Sequence, residues 1–312
     1  MNIENLTFDS VEKLVKFITE LDEVFLAKKE QNEKQGIIFD SQPIILFRGE
    51  EDISFKLKPS VFRTDKLKKN ENRLFNKLFS AHADEFDKDK NTFDKLVRMQ
   101  HYGLPTRLLD ITKNPLVALY FACQPAFVTD KLGNRTIKKA DGSLYFFVLQ
   151  DSHIKTYNSD TITIISNLVN LKNVEQNAFL TTKSTKTYNR ALGKLVNAIK
   201  KDDPSFSEDY LEVDKIPDIV FVESKMNNER IKSQSGAFII FKNSKEINVG
   251  DLELPYKDAS GRDRIYHVFC FRATIPNKAK KTILKSLDKM NINEKYIYQD
   301  ISHSSKYIKD SI

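Results

Sequence analysis

His101, Thr106, Arg107, Asp110 and Thr112 stand in one short window that runs into a helix start, with Asn114 suited to the N-cap and Pro115 to the first helical position. An imidazole or a carboxylate can move protons, and a guanidinium can hold phosphate or carboxylate through two parallel bonds. The free N–H groups of the helix that follows could face an anionic ligand together with these side chains. Alternate positions of an extended segment share a face, so Thr106, Asp110 and Thr112 would point one way and Arg107 the other. Two plainer readings stay open: His101 as a cap on the C-terminus of the preceding helix, and Arg107 as half of an internal ion pair.

Two more positions carry chemistry. Arg48 follows the apolar run 44–47 and precedes Gly49, which sets a permanent charge at the end of a buried strand with backbone room beside it. It suits a bidentate hold on phosphate or carboxylate, or a structural pair with an internal Asp. Gln234, just ahead of Gly236 and an apolar strand, offers a donor and an acceptor to a ligand, or a buried amide to a turn.

The elements that must position these residues follow from hydrophobic periodicity. Asp9, with Glu12 three residues on, caps an amphipathic helix running through Val11, Leu14, Ile18, Leu21 and Phe25. A strand at Ile44–Phe47 and an extended piece at Phe55–Pro59 come next, then helices through Leu74–Phe79 and Phe93–Gln100 and the helix at 115–123. Further strands are expected at Leu144–Leu149, Ile219–Glu223, Ala237–Lys242 and Ile265–Ala273, all rich in β-branched or aromatic residues. Pro276 opens a helix through Ile283, Leu287 and Met290, followed by Tyr296–Tyr298 and a short last helix, while 128–142 and 250–263 read as loops. Helices first, then strands with helices interspersed, predict an α+β fold with a mainly antiparallel sheet core and helices packed around it. The expected division is an N-terminal helix and linker at 1–35 and a main domain at 36–312, in which 151–201 is a helical lobe or insertion.

Composition narrows the classes. Fifty Lys and Arg against 43 Asp and Glu give a net charge of +7, which favours a polyanionic partner or an anionic cofactor and equally suits a merely solvated surface. The pairs at Lys138–Lys139 and Lys200–Lys201 and the run Lys278–Lys281 are candidate phosphate contacts on the same terms. Apolar runs fall well short of the ~20 residues of a membrane span, and no leader pattern is present, so a cytoplasmic protein without membrane contact is expected. Cys123 and Cys270 lie in apolar patterns and read as buried reduced thiols. The phosphate-cradling glycine motifs, the nucleophile elbow and the His or Cys spacings of a zinc site are missing, so no metal is expected.

The segments Ile45-Leu46-Phe47-Arg48-Gly49-Glu50, Gln100–Ala122 and Arg230–Phe238 resemble, in order and spacing, the FRG domain family, named for its Phe-Arg-Gly motif. The segment Leu57–Arg63 and the C-terminal helix are similar to it as well, so the resemblance spans about residues 40–310.

The same positions also resemble ADP-ribosyltransferases of the Arg-Ser-Glu type. Arg48 is similar to their early-strand Arg, and Asp110-Ile111-Thr112 ahead of Ala118–Ala122 to their second strand and helix. Gln234, or Glu229, falls where their late Glu stands, and Gln supplies no negative charge, which leaves Asp110 to provide it. The resemblance implies an ADP-ribosyltransferase-like fold with NAD as the substrate. It assigns catalysis to Arg48, His101, Asp110 and Gln234, and places Phe47, Gly49, Thr106, Arg107, Thr112 and Arg230 at the cofactor. It further implies a toxin or antiphage effector whose acceptor is a nucleic acid, RNA ahead of DNA, or a translation component, paired with a protein inhibitor or antitoxin. A non-catalytic phosphate- or nucleic-acid-binding module and an NAD hydrolase are the alternatives.

Overall fold

The computed structural model describes residues 5–34, 43–129, 134–180, 185–208, 211, 213, 216–225, 232–257 and 262–298. Its strands are β1 (Pro43–Glu50), β2 (Leu108–Thr112), β3 (Ala126–Thr129), β4 (Arg135–Lys138), β5 (Gly142–Gln150), β6 (Ile219–Glu223), β7 (Gly236–Phe241), β8 (Gly250–Lys257) and β9 (Asp263–Ile275). Seven form a curled sheet in the order β6-β7-β2-β1-β5-β9-β8, with every neighbouring pair antiparallel, and β3 with β4 makes a separate hairpin. The helices are α1 (Val11–Lys34), α2 (Asp65–Lys69), α3 (Glu71–Ala81), α4 (Thr92–His101), α5 (Pro115–Ala122), α6 (Asp160–Asn167), α7 (Asn173–Ala178), α8 (Lys186–Asp202), α9 (Asn277–Lys289) and α10 (Glu294–Tyr298). The expected α+β class with an antiparallel sheet is the one observed.

Directly paired residues of an antiparallel sheet share a face. Phe47 pairs with Thr112 and Phe146, Phe146 with Phe271, and Asp110 with Phe238, so all of these lie on one face. Two separate helical groups cover it. Helices α3, α4, α6, α7 and α8 bury Phe93, Leu96, Ile165, Leu195 and Ile199 against Leu108, Val220, Val222, Phe238 and Ile240 of β2, β6 and β7. Helices α1, α5 and α9 bury Phe17, Leu21, Val117, Leu119, Ile283 and Leu287 against Phe47, Leu144, Phe146 and Phe271 of β1, β5 and β9. The opposite face packs Leu46, Leu109, Ile111, Tyr145, Phe147 and Ile239 under Leu57, Val61, Phe62 and Ile247. The seam between the helical groups therefore falls between β1 and β2.

The N-terminal helix belongs to this core. Phe17 meets Phe146 edge-on at 5.6 Å, and Thr7 makes a bridge to Thr274 beside β9. Asp9 pairs with Lys13 at 2.8 Å, and the hydroxyl of Ser10 accepts from the Lys13 backbone, so the cap is one residue later than expected. The two expected loops hold strands. Residues 126–129 and 135–138 pair as β3 and β4, and β8 closes the sheet edge at 250–257. Both are short on the continuous β-branched runs that mark a buried strand, because an edge or isolated hairpin buries little. Pro255 is tolerated in β8 because one side of an edge strand has no partner to donate to. The extended piece at 55–59 is reduced to a bridge between Leu57 and Ile247. The short last helix falls outside the described residues.

Candidate functional site

The ladder between β1 and β2 has the single register pair Phe47↔Thr112, and the strands part beyond it. Arg48 spans the opening. Its Nη1 donates to the Asp110 carbonyl at 2.6 Å, occupying an acceptor the absent ladder leaves behind. Its Nε and Nη2 both donate to Oε1 of Glu50, at 2.8 and 2.7 Å. Burial works against the guanidinium's charge, but Glu50 and Asp110 outweigh it and hold its pKa above the ordinary Arg value. Glu50 is itself buried, at 4% exposure, so each charge depends on the other.

Around this pair lies a cavity of about 330 Å³. Phe47, Arg48, Gly49, Glu50 and Glu51 line it from the end of β1, Asp110, Ile111 and Thr112 from β2, and Val117, Ala118 and Phe121 from α5. Gln124, Pro125 and Phe127 close it from the segment after α5, and Gln234 and Tyr298 from the far side. The volume sits at the small end of the roughly 300–1,000 Å³ of small-molecule sites, enough for a nucleoside-sized group. Three carboxyl-bearing side chains and one guanidinium face it beside the aromatic rings of Phe47, Phe121, Phe127 and Tyr298. With Arg48 engaged by Glu50, this lining favours a flat cation over a free phosphate.

The polar residues are held from both sides of the seam. Gln100, at the end of α4, donates from Nε2 to Asp110 Oδ2 at 2.7 Å, and its Oε1 accepts from the Thr106 hydroxyl. Asp110 thus keeps a fixed direction although its side chain is 58% exposed. The Thr112 hydroxyl donates to the Gln234 carbonyl at 2.5 Å and accepts from the Asn114 backbone at 2.9 Å, while the Asn114 side chain caps α5 through the Leu116 N–H. Gln234 Nε2 donates to the Ile297 carbonyl of α10 at 3.1 Å, and the turn after it passes through Ser235 at φ 45°. Lys280 of α9, buried among carbonyls, donates to Glu51 O at 2.6 Å. Burial lowers its pKa from the ordinary Lys value.

Gly49 has a steric reason to be glycine. A Cβ there would stand 1.8 Å from the Ala118 carbonyl oxygen and 2.6 Å from the Ala122 nitrogen, so α5 lies directly on the strand backbone. The same helix covers Gly142 of β5, where a Cβ would come 2.1 Å from the Ala122 oxygen. The backbone room beside Arg48 is thus filled by a helix that forms a wall of the cavity.

A Phe-Arg-Gly strand end packed under a capped helix is the region that a family model recognises: residues 43–131 match the FRG domain. That segment of the chain is similar to the FRG domain. The match includes Arg48, Asp110 and the whole of α5 and ends ahead of Gln234. No curated protein and no solved structure matches the chain.

Within the FRG domain the cavity gathers Phe47, Arg48, Gly49, Asp110 and Thr112, and Gln234 joins them from outside the matched segment. His101 ends α4, with its ring edge-on to Tyr102 at 5.2 Å, and is not among the lining residues. Thr106 is buried, serving Gln100 and the Leu108 N–H rather than the cavity. Arg107 is fully buried and forms the internal pair that its residue type had left open. It donates to both oxygens of Glu71 and to the carbonyls of Phe241 and Lys242, which stitches β2 and β7 to α3. Arg230 and Glu229 lie outside the described residues. Glu50, Glu51, Gln100 and the aromatic wall are additions that sequence reasoning had passed over. Glu50 follows the motif directly, and its alternation with Arg48 along one strand was the available signal.

Among the described residues no cluster of three or more His, Cys, Asp or Glu is arranged to hold a metal ion, and no helix is long and apolar enough to cross a membrane.

Proposed function

We propose that this FRG domain is an ADP-ribosyltransferase that takes the nicotinamide-ribose end of NAD into the β1–β2 cavity and transfers ADP-ribose to a nucleic acid, with RNA the favoured acceptor. The observation that carries the reading is the convergence of Arg48, Asp110 and Gln234 on one cavity, although β1, β2 and the turn before β7 are far apart in the chain. The reaction breaks the bond between ribose C1′ and the nicotinamide nitrogen, nicotinamide leaves with the electron pair, and an acceptor nucleophile bonds to C1′ and loses a proton. Positive charge develops on the ribose, so fixed carboxylates beside it lower the barrier. Asp110, aimed by Gln100, and Glu50, paired to Arg48, are the groups available for that role. Gln234, its amide nitrogen engaged by Ile297, presents an amide oxygen that suits a ribose hydroxyl. Arg48 acts here as a positioning residue that orders Glu50 and the Asp110 backbone.

Such a protein fits a toxin or antiphage effector held in check by an inhibitor. The test incubates the purified chain with labelled NAD, alone and with RNA, DNA or cell lysate, beside Asp110→Asn and Arg48→Lys. These variants keep hydrogen-bonding capacity, whereas Arg48→Ala would strand the buried Glu50. Label on RNA that is lost in both variants is the expected result. Nicotinamide release without transfer would make the protein an NAD hydrolase, and no turnover in any mixture would leave a binding module.

A further inference from the structure

Helix α9 carries a second charged feature, distinct from the cavity. Its buried side holds Lys280, Ile283 and Leu287, while Lys278, Lys281, Lys285 and Lys289 are exposed. At roughly 100° per residue the four exposed lysines fall within an arc of about 80°, directly away from the buried side, and span about 17 Å along the axis. Asp288 is the one acidic residue on the helix, and Asp9 of the N-terminal segment lies near enough to Lys278 to feel its charge. Among the described residues Lys281, Lys285 and Lys289 form no ion pair with the protein, unlike Lys13, Lys113, Lys138, Lys194 and Lys200, which do. A row of four lysines at one-turn intervals, three of them without an ion pair among the described residues, is a feature that charge complementarity with a regularly spaced anion explains.

The buried side ties the row to the cavity. Lys280 Nζ donates to Glu51 O at 2.6 Å and approaches Gln124 O at 3.4 Å, and both residues line the cavity. A strand lying along the outer face of α9 would therefore run about one helix diameter, ~10 Å, from the cavity's edge. A duplex hides its bases in the stack, so a base or sugar that must reach a small cavity is best delivered by an unpaired strand.

We propose that the exposed lysine row of α9 is a docking surface for the phosphate backbone of single-stranded RNA. The docking itself stands on the row's geometry and charge. Its role in presenting an acceptor to the cavity rests on the transferase reading.

The experiment measures binding of the full chain to a fluorescent single-stranded RNA oligonucleotide of mixed sequence by anisotropy across a salt series. The comparison variant changes Lys278, Lys281, Lys285 and Lys289 to Gln, which keeps helix propensity. A second variant changes Lys66, Lys69, Lys77 and Lys201, also exposed, to Gln and removes the same net charge elsewhere. Single-stranded DNA, duplex RNA and a polyglutamate peptide serve as competing probes. Each phosphate neutralised on a single strand contributes about −0.7 to the log–log salt slope, so the α9 variant should lose about 3 from that slope. Over a tenfold rise in salt the four contacts together correspond to several-hundred-fold in affinity. The second variant should keep the wild-type slope. Equal losses in both variants would mean diffuse attraction by net charge, and tighter binding of duplex RNA, DNA or polyglutamate would assign the face to another partner; each overturns the proposal, as does no RNA binding by the wild type. Nicotinamide release from NAD without acceptor should be the same in wild type and the α9 variant. RNA docking without any NAD turnover would uphold the docking surface and sink the transferase reading.

Discussion

Replacing Gly49, Gly142 and Gly193 in turn by Ala tests the packing of α5 on the sheet. At Gly49 the new Cβ meets the Ala118 oxygen at 1.8 Å and the Ala122 nitrogen at 2.6 Å, where ordinary contact begins at 3.4 Å. These are backbone atoms of a helix and cannot rotate aside, so α5 must move outward by about 1.5 Å against a close-packed core of Phe47, Val117, Leu119 and Phe146. Overpacking of this kind costs about 1–3 kcal/mol, and Gly49→Ala should fall at the upper end or above. Gly142→Ala, at 2.1 Å from the Ala122 oxygen, should cost a similar amount. Gly193 lies inside α8 with nothing within 4 Å of its Cβ, so Ala there should stabilise by about 1 kcal/mol through helix propensity. The assay is equilibrium urea unfolding of the three variants beside wild type. Because Ala118 and Phe121 also wall the cavity, Gly49→Ala should weaken ligand binding more than Gly142→Ala does. A Gly49→Ala variant within about 0.5 kcal/mol of wild type would refute the close approach of α5, and with it the shape assigned to the cavity.

The cavity's charge balance predicts that N1-methylnicotinamide, a flat cation, binds about tenfold more tightly than neutral nicotinamide in calorimetric titration, and equal affinities would refute that balance. Glu71→Ala should cost about 3–5 kcal/mol in urea unfolding, because it strands the fully buried Arg107. Asp52 is buried, which raises its pKa, but Lys138 at 2.6 Å and the Ser54 hydroxyl and amide outweigh this and bring the pKa to about 2, below the ordinary Asp range. A depressed folded-state pKa contributes stability that is present above the unfolded value and lost as pH falls from about 4 through 2. Asp52→Asn should therefore be less stable than wild type by about 2 kcal/mol near neutrality, with the gap closing towards pH 2 in acid unfolding. Burial pushes the Cys123 and Cys270 thiols up to about 12, so neither should react with a thiol reagent in the folded protein and both should react in denaturant.

Local sequence carries the parts of this fold whose signals are local. Asn114-Pro115 starts α5, the aromatic and β-branched run of Leu144–Leu149 makes a central strand, and the spacing of Phe93, Leu96 and Gln100 makes α4. The motif Phe47-Arg48-Gly49 and the window from His101 to Thr112 also carry the likeness to the FRG domain in local sequence. What local signals do not carry is which faces meet. Thr106 and Arg107 read as ligand contacts because residue type and alternation treat all extended segments alike, yet Thr106 closes onto Gln100 of α4 and Arg107 onto Glu71 of α3. The strands β3, β4 and β8 carry a loop-like sequence because little apolar area is buried by an edge or a lone hairpin.

The sequence alone carries the resemblance to the FRG domain, the α+β class, the strand with Arg48, the helix start at Asn114 and the separation of charge from core, all of which follow from side-chain chemistry within a few residues. Only the tertiary structure decided that Arg48 is committed to Glu50, that Gly49 yields its space to α5, that Gln100 aims Asp110 and that Gln234 returns to the same cavity. The physical reason is that a guanidinium, an amide or a glycine has many uses of similar energy along an open chain. Burial removes water as a partner and makes all but one of those uses costly, and which one survives depends on strands brought together from distant parts of the sequence.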